Sequence, residues 1–177
     1  MGIVKRKICL LGAFAVGKTS LVQRFVNDRF SDKYLTTVGI SVSQKRMPPI
    51  RSGPSDDVLQ HDFLIWDIAG LEKFDPMVMN YFRGASGALA VGDVTRADTA
   101  IELKTICNKF LSINPKAALV TIGNKIDLSP DGGDPAAELK QLASEYGSEL
   151  ILSSAKTGER VSEAFQLLSR KIELFNA

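Results

Sequence analysis

A chain of 177 residues is long enough to bury a full core as one domain. Its 22 basic and 20 acidic residues leave a net charge of +2, too small to point to nucleic acid. No apolar run reaches the length of a membrane span and no secretory leader opens the chain, so a cytoplasmic protein is expected.

The first strand is predicted over Ile3–Leu11, where the apolar run Ile8-Cys9-Leu10-Leu11 suits a buried strand. Lys5-Arg6-Lys7 inside it is expected to be a solvated strand start. Cys9 and Cys107 both sit in apolar patterns and are expected to be reduced core residues. Gly12-Ala13-Phe14-Ala15-Val16-Gly17-Lys18-Thr19 follows and fits G-x-x-x-x-G-K-[ST], the phosphate-binding loop. Glycine at both ends lets such a loop wrap an anion. The backbone N–H groups of Ala13, Phe14, Ala15, Val16, Gly17, Lys18, Thr19 and Ser20 then face the phosphates, backed by the positive end of the next helix. Lys18 would reach the outer phosphates as a point charge, and the Thr19 hydroxyl would ligate Mg²⁺. Leu21, Val22, Phe25 and Val26 recur at helical spacing, and this helix is predicted to end near Asp28.

Residues from Arg29 to Ile40 show no clean period, and such a polar loop is placed to cover bound phosphates. A second strand is predicted over Ile40–Lys45. Met47 to Asp57 is dense in Pro, Gly, Ser and Asp and predicts a long hairpin loop. A third strand over Val58–Asp67 ends at Asp67-Ile68-Ala69-Gly70, and ligands bind at strand C-terminal ends in open α/β sheets. The fourth strand is Gly87–Val94. A helix follows with Leu103, Ile106, Cys107 and Phe110 on one face and Asp98 or Thr99 as cap. Ala117–Ile122, almost wholly apolar, predicts a parallel strand buried on both faces. Asp134-Pro135 predicts a cap and first-turn proline, ahead of Leu139, Leu142, Ala143 and Tyr146. A short sixth strand is predicted over Glu149–Leu152, and Val161, Phe165, Leu168, Ile172 and Phe175 form a closing helical stripe. The expected fold is α/β: a single domain over 1–177, with a six-stranded, mostly parallel sheet, one antiparallel edge strand and helices on both faces.

Two later segments narrow the ligand. Asn124-Lys125-Ile126-Asp127 follows the fifth strand, and Ser154-Ala155-Lys156 follows the sixth. Together with the phosphate loop, Thr37 and Asp67-Ile68-Ala69-Gly70, the chain resembles the G domain of the Ras superfamily of small GTPases over nearly its whole length. Ile65-Trp66-Asp67-Ile68-Ala69-Gly70, Tyr81-Phe82-Arg83-Gly84-Ala85 and Val91-Gly92-Asp93-Val94-Thr95 make it most similar to Rab proteins.

The resemblance implies a GTP/GDP switch with Mg²⁺. Asp127 would accept the two guanine donors that adenine lacks. Asn124 would contact the base and brace the phosphate loop, and the stem of Lys125 would lie over the base plane. The Ala155 N–H would donate to guanine O6, with Ser154 and Lys156 holding that loop. Phe30 would pack edge-on against the base or end the first helix as a core residue. Thr19 and Thr37 would ligate the metal directly and Asp67 through water, with Thr36 the rival to Thr37. The Thr37 and Gly70 N–H groups would sense the γ-phosphate, so both loops lose an anchor when it leaves. Lys18, Thr37, Gly70 and position 71 would form the hydrolytic centre. Effectors, exchange factors and activating proteins would meet a monomer at the two switch loops. Trp66 and Phe82 match an apolar partner patch as well as core positions.

Three departures stand out. Leu71 replaces the Gln that orients the attacking water, and leucine has neither donor nor acceptor. Phe14 stands where a small residue is usual and would crowd an incoming arginine. The loop around Met47–Asp57 is long, and is expected to be a passive surface insertion. The C-terminal Leu174-Phe175-Asn176-Ala177 has no cysteine to prenylate, and Gly2 lacks a myristoylation signal, so no lipid anchor is expected. His61 is expected at the surface, and Met77 and Met79 as core fillers or partner contacts. The leading expectation is a Rab-like switch with slow intrinsic hydrolysis. The alternatives are a GTP-binding interaction module that does not hydrolyse, and a different P-loop kinase or ATPase, against which Asn124–Asp127 and Ser154–Lys156 argue.

Overall fold

The computed structural model describes residues 2–33, 39–52, 57–69 and 76–176, with backbone alone for 57, 77, 78 and 176. In chain order the elements are β1 (Gly2–Leu11), α1 (Lys18–Asn27), β2 (Ile40–Arg46), β3 (Ile50–Ser52), β4 (Asp57–Ile68), α2 (Pro76–Asn80), β5 (Gly87–Asp93), α3 (Asp98–Ile113), β6 (Ala118–Asn124), α4 (Gly133–Glu145), β7 (Leu150–Leu152) and α5 (Val161–Asn176). The sheet order is β2-β4-β1-β5-β6-β7, and β3 pairs with β4. β4, β1, β5, β6 and β7 run parallel, while β2 and β3 lie antiparallel to β4.

The six expected strands are all present, and β3 is a seventh. It lies inside the Met47–Asp57 stretch that the sequence predicts as loop. Pro48-Pro49 before it and Gly53-Pro54 after it signal turns, yet Ile50, Arg51 and Ser52 pair with Leu59, Val58 and Asp57.

Alternation along the parallel strands builds two cores. Ile8 and Leu10 of β1 join Phe63, Ile65, Leu89, Val91, Val120 and Ile122 on the face covered by Leu21 and Val22 of α1 and Phe165, Leu168 and Ile172 of α5. Cys9 and Leu11 point the other way, to Ala88, Ala90 and Leu119 under Leu103, Ile106, Cys107 and Phe110 of α3 and Leu139 and Leu142 of α4. Because helices cover both faces, every residue of β5 and β6 is buried. Both cysteines are buried free thiols, and desolvation pushes each up to about 12, far from reactive.

Several local expectations are corrected. Neither Asp98 nor Thr99 caps α3 by side chain; Thr99 instead donates back to the Arg96 carbonyl at 2.8 Å, and Asp98 sits in the first turn. Asp134 lies one residue inside α4, whose cap is Gly132 in the left-handed region. Phe175 is exposed, because the buried stripe of α5 ends at Ile172. Phe82 is core, edge-on to Phe110 with centroids 5.4 Å apart, while Trp66 is half-buried between Tyr81 and the Lys7 ammonium. Lys7 also donates to the Arg83 carbonyl at 2.9 Å, so the basic run of β1 is tied down rather than simply solvated. Met79 is half-buried against the α3-side core.

His61 departs most from expectation. It is fully buried, because α5 carries Ser169 and Glu173, four residues apart on one helix face, across β4. His61 Nδ1 lies 2.9 Å from Ser169 Oγ. Its Nε2 stands 3.4 Å from Glu173 Oε2 without making a hydrogen bond. Arg6 also approaches Glu173, at 3.8 Å, and Ser52 of β3 donates to it. Desolvation lowers the His61 pKa first and the Arg6 charge lowers it further, against an opposing pull from Glu173. Burial and the Arg6 charge thus favour the neutral imidazole in the fold. A group whose pKa is depressed in the folded state loses stabilisation as pH falls through its unfolded value, here near 6.5. Thermal unfolding followed from about pH 8 to pH 5 should show a midpoint that drops below that point. His61→Gln, neutral throughout, should flatten the drop; an unchanged drop would assign it to other groups.

Candidate functional site

The C-terminal ends of β1, β4, β5, β6 and β7 lie along one sheet edge, the edge beyond which ligands bind in open α/β sheets. The phosphate loop leaves β1 there. Gly12 has φ +152°, and a Cβ on it would run into the Val91 carbonyl. Gly17 has φ +101° and leaves room for the Asn124 side-chain amide, which a Cβ would strike. Between them Ala15 holds φ +63°, a left-handed conformation uncommon without glycine.

Side chains from three separate positions take the carbonyls of this loop. Arg96 donates to Phe14 O at 3.0 Å, Lys125 to Ala15 O at 2.8 Å, and Asn124 Nδ2 to Val16 O at 2.9 Å. Lys18 folds back to donate to Gly12 O at 2.9 Å and Ala13 O at 3.0 Å. α1 starts at Lys18 with no side-chain cap and no acidic residue in its first turn, so its positive end is left for an anion. Phe14 is 49% exposed beside this cradle.

The Thr19 hydroxyl, on the first turn of α1, donates to Asp67 Oδ2 at 2.5 Å. Asp67 is buried, and desolvation raises its pKa against opposing pulls from Thr19 and Lys18. A hydroxyl and a carboxylate facing each other are hard oxygen donors that fit Mg²⁺. Among the described residues no three acidic, His or Cys side chains cluster as a metal site. Thr36, Thr37, Gly70 and Leu71 lie outside the described residues.

Asn124, at the end of β6, is the centre of the other half. Its Oδ1 accepts from the Ala155 N–H at 3.0 Å while its Nδ2 holds Val16. Ser154 Oγ donates to Asp127 Oδ1 at 2.6 Å and accepts from the Thr157 N–H at 3.1 Å. The predicted members Asn124, Lys125, Asp127, Ser154 and Ala155 thus form one constellation with the phosphate loop. Lys156 is exposed at its rim, 3.7 Å from Asp32. Phe30 packs, half-buried, against the core under α1 and α5.

Three residues of the site were not singled out from the sequence. Asp93, fully buried at the end of β5, holds Lys125 at 2.6 Å and accepts from the Thr95 hydroxyl at 2.6 Å. An acid closing an otherwise apolar strand was the available signal. Arg24 of α1 donates to Ala155 O at 3.0 Å and to Lys156 O at 2.5 Å, and so carries the Ser154–Lys156 loop. Arg96 is the third, and neither arginine carries a local motif.

A model of the Ras family matches residues 7–174. The chain is 36% identical to human Ras-related protein Rab-31 over 97% of its own length and 85% of the relative's. It is 34% identical to mouse Ras-related protein Rab-22A over 97% and 86%. GTP-binding protein ypt5 of Schizosaccharomyces pombe is 32% identical over 97% and 79%. No helix among the described residues is long and apolar enough to cross a membrane.

The tight fit at Gly17 gives a direct check on the geometry. Gly17→Ala would force a strained backbone and a clash with Asn124, and should cost about 1–3 kcal/mol of unfolding free energy. Urea denaturation measures the loss; a neutral substitution would show that the loop and Asn124 do not pack this way.

Proposed function

The chain belongs to the Ras superfamily of small GTPases, among its Rab-like members, and we propose that it acts as a GTP/GDP switch whose own hydrolysis is slow. The observation that carries this reading is Asn124, which joins the phosphate loop to the Ala155 loop with one side chain. It makes a phosphate cradle and a base-recognition corner parts of a single site.

In this reading Asp127, oriented by Ser154, accepts the N1–H and amino hydrogens of guanine. The Ala155 N–H, held by Asn124 in this structure, turns to guanine O6 when the base is bound. Lys18 gives up its loop carbonyls for the outer phosphates. Thr19 and Thr37 would hold Mg²⁺, with Asp67 reaching it through water. The metal would supply charge neutralisation across the outer phosphates. The Thr37 and Gly70 N–H groups sense the terminal phosphate, and the two loops that carry them present the surface for effectors, exchange factors and activating proteins. The protein works as a cytoplasmic monomer.

Leu71 sets the rate. Its side chain has no group with which to orient water, so intrinsic hydrolysis should lie at or below the order of 10⁻⁴ s⁻¹ usual for such sites. Phe14, half-exposed at the cradle, would obstruct a partner's arginine. These two residues favour a second reading, a GTP-binding interaction module that does not hydrolyse usefully. Single-turnover hydrolysis of the parent, Leu71→Gln, Phe14→Gly and the double variant distinguishes the two. The switch reading expects a slow but measurable parent, accelerated by Leu71→Gln and further by the pair, not necessarily additively. No hydrolysis even with an activator present would favour the second reading.

Base recognition has its own test. Asp127→Asn swaps an acceptor for a donor facing the guanine amino group. GTP affinity should fall by about 1–3 kcal/mol, and xanthosine nucleotides should bind better. Unchanged GTP affinity would remove Asp127 from the site.

A further inference from the structure

Resting on the nucleotide-switch reading, we infer that Arg96 is a positioning residue that holds the outer peptide of the phosphate loop for the terminal phosphate. The residue lies in the turn between β5 and α3, outside every nucleotide motif. Its backbone is fixed at both ends: its N–H donates to Asp93 O at 3.0 Å, and its carbonyl accepts from the Thr99 hydroxyl at 2.8 Å. The guanidinium is forked. One nitrogen donates to Phe14 O at 3.0 Å and the other to Asp98 Oδ2 at 2.8 Å. Asp98 thus holds the group in the direction of the loop.

A trans peptide points its N–H opposite its C=O. Holding Phe14 O outward turns the Ala15 N–H inward. Lys125 on Ala15 O does the same for Val16, and Asn124 on Val16 O for Gly17. Three successive N–H groups face the cradle because three successive carbonyls are held from behind. Ala15, between the first two clamps, keeps φ +63°. A strained non-glycine conformation persists only where its surroundings over-determine it, and Arg96 with Lys125 does that here.

The three clamps differ in what they control. Lys125 and Asn124 belong to the base-side segment, and they act on the peptides nearest α1. Of the three clamped peptides Arg96 acts on the one farthest from α1, here assigned to the outermost part of the phosphate chain. That part distinguishes GTP from GDP. Loss of Arg96 therefore weakens retention of GTP more than retention of GDP, which a general loosening of the fold would not do.

The experiment measures dissociation of fluorescent GTP and GDP analogues with Mg²⁺, using a non-hydrolysable GTP analogue to exclude turnover. For Arg96→Ala, release of the triphosphate should rise about three- to tenfold, the net worth of one ordinary hydrogen bond, since the site is half-exposed. Diphosphate release should change by less than about twofold. Asp98→Ala, which leaves the loop contact in place but frees the guanidinium, should shift the same ratio in the same direction by less. Thermal midpoints of both variants should match the parent's, since exposed ion pairs add little to stability. Equal acceleration of both nucleotides, or no change in either, in a parent that binds both overturns this inference alone. A parent that retains neither nucleotide overturns the switch reading and this inference with it.

Discussion

One primary amide holds this site together. Asn124 gives its N–H to Val16 O and takes the Ala155 N–H on its oxygen, so the loop after β1 and the loop after β7 share one brace. The brace works because Asn124 is almost wholly buried, where an unpaired amide group is costly and both bonds are therefore enforced. Gly17 is part of the same constraint, since only an absent side chain admits the Asn124 amide so close to the loop. The position of the Gly12–Thr19 loop relative to the Ala155 loop is in this way fixed by packing.

The sheet supplies the platform. Parallel β4, β1, β5, β6 and β7 deliver Asp67, Gly12, Asp93, Asn124 and the Ser153-Ser154 turn to one edge. Their opposite ends do different work. There His61, Ser169, Glu173, Arg6 and Ser52 tie β4, β1 and β3 to the end of α5. β3 is thus anchored to the helix through Ser52. α1 touches both loops: its first turn continues the Gly12–Thr19 loop, while Arg24 reaches back to carry the Ala155–Lys156 carbonyls.

The strand pattern, the helix stripes and the phosphate loop were legible because they are written in contiguous residues. Ile8–Leu11 and Ala118–Ile122 are apolar runs, and Gly12–Thr19 is a single motif. Asn124, Lys125, Asp127 and Ser154–Lys156 stood out through the resemblance to the Ras superfamily, again as short contiguous segments, and the structure brings Asn124, Lys125, Asp127, Ser154 and Ala155 together beside the phosphate loop. What the sequence concealed depends on contacts across long separations. Arg96 meets Phe14 over 82 positions and Arg24 meets Ala155 over 131, and an isolated arginine announces neither. His61 looked exposed because its neighbours Gln60 and Asp62 are polar, yet it is buried where the distant Ser169 and Glu173 of α5 meet it. The helix caps failed more locally. Thr99 bonded backward to Arg96, and a left-handed glycine, not Asp134, opened α4.

The most direct measurement of base recognition is competition for the bound nucleotide. Protein loaded with a fluorescent GDP analogue in Mg²⁺ is titrated with GDP, GTP and ATP. A site in which Asn124, Asp127 and Ala155 recognise guanine predicts displacement by both guanine nucleotides and none by ATP over the same range, because adenine leaves the Asp127 carboxylate without its donors. Displacement by ATP as effective as by GTP would contradict it.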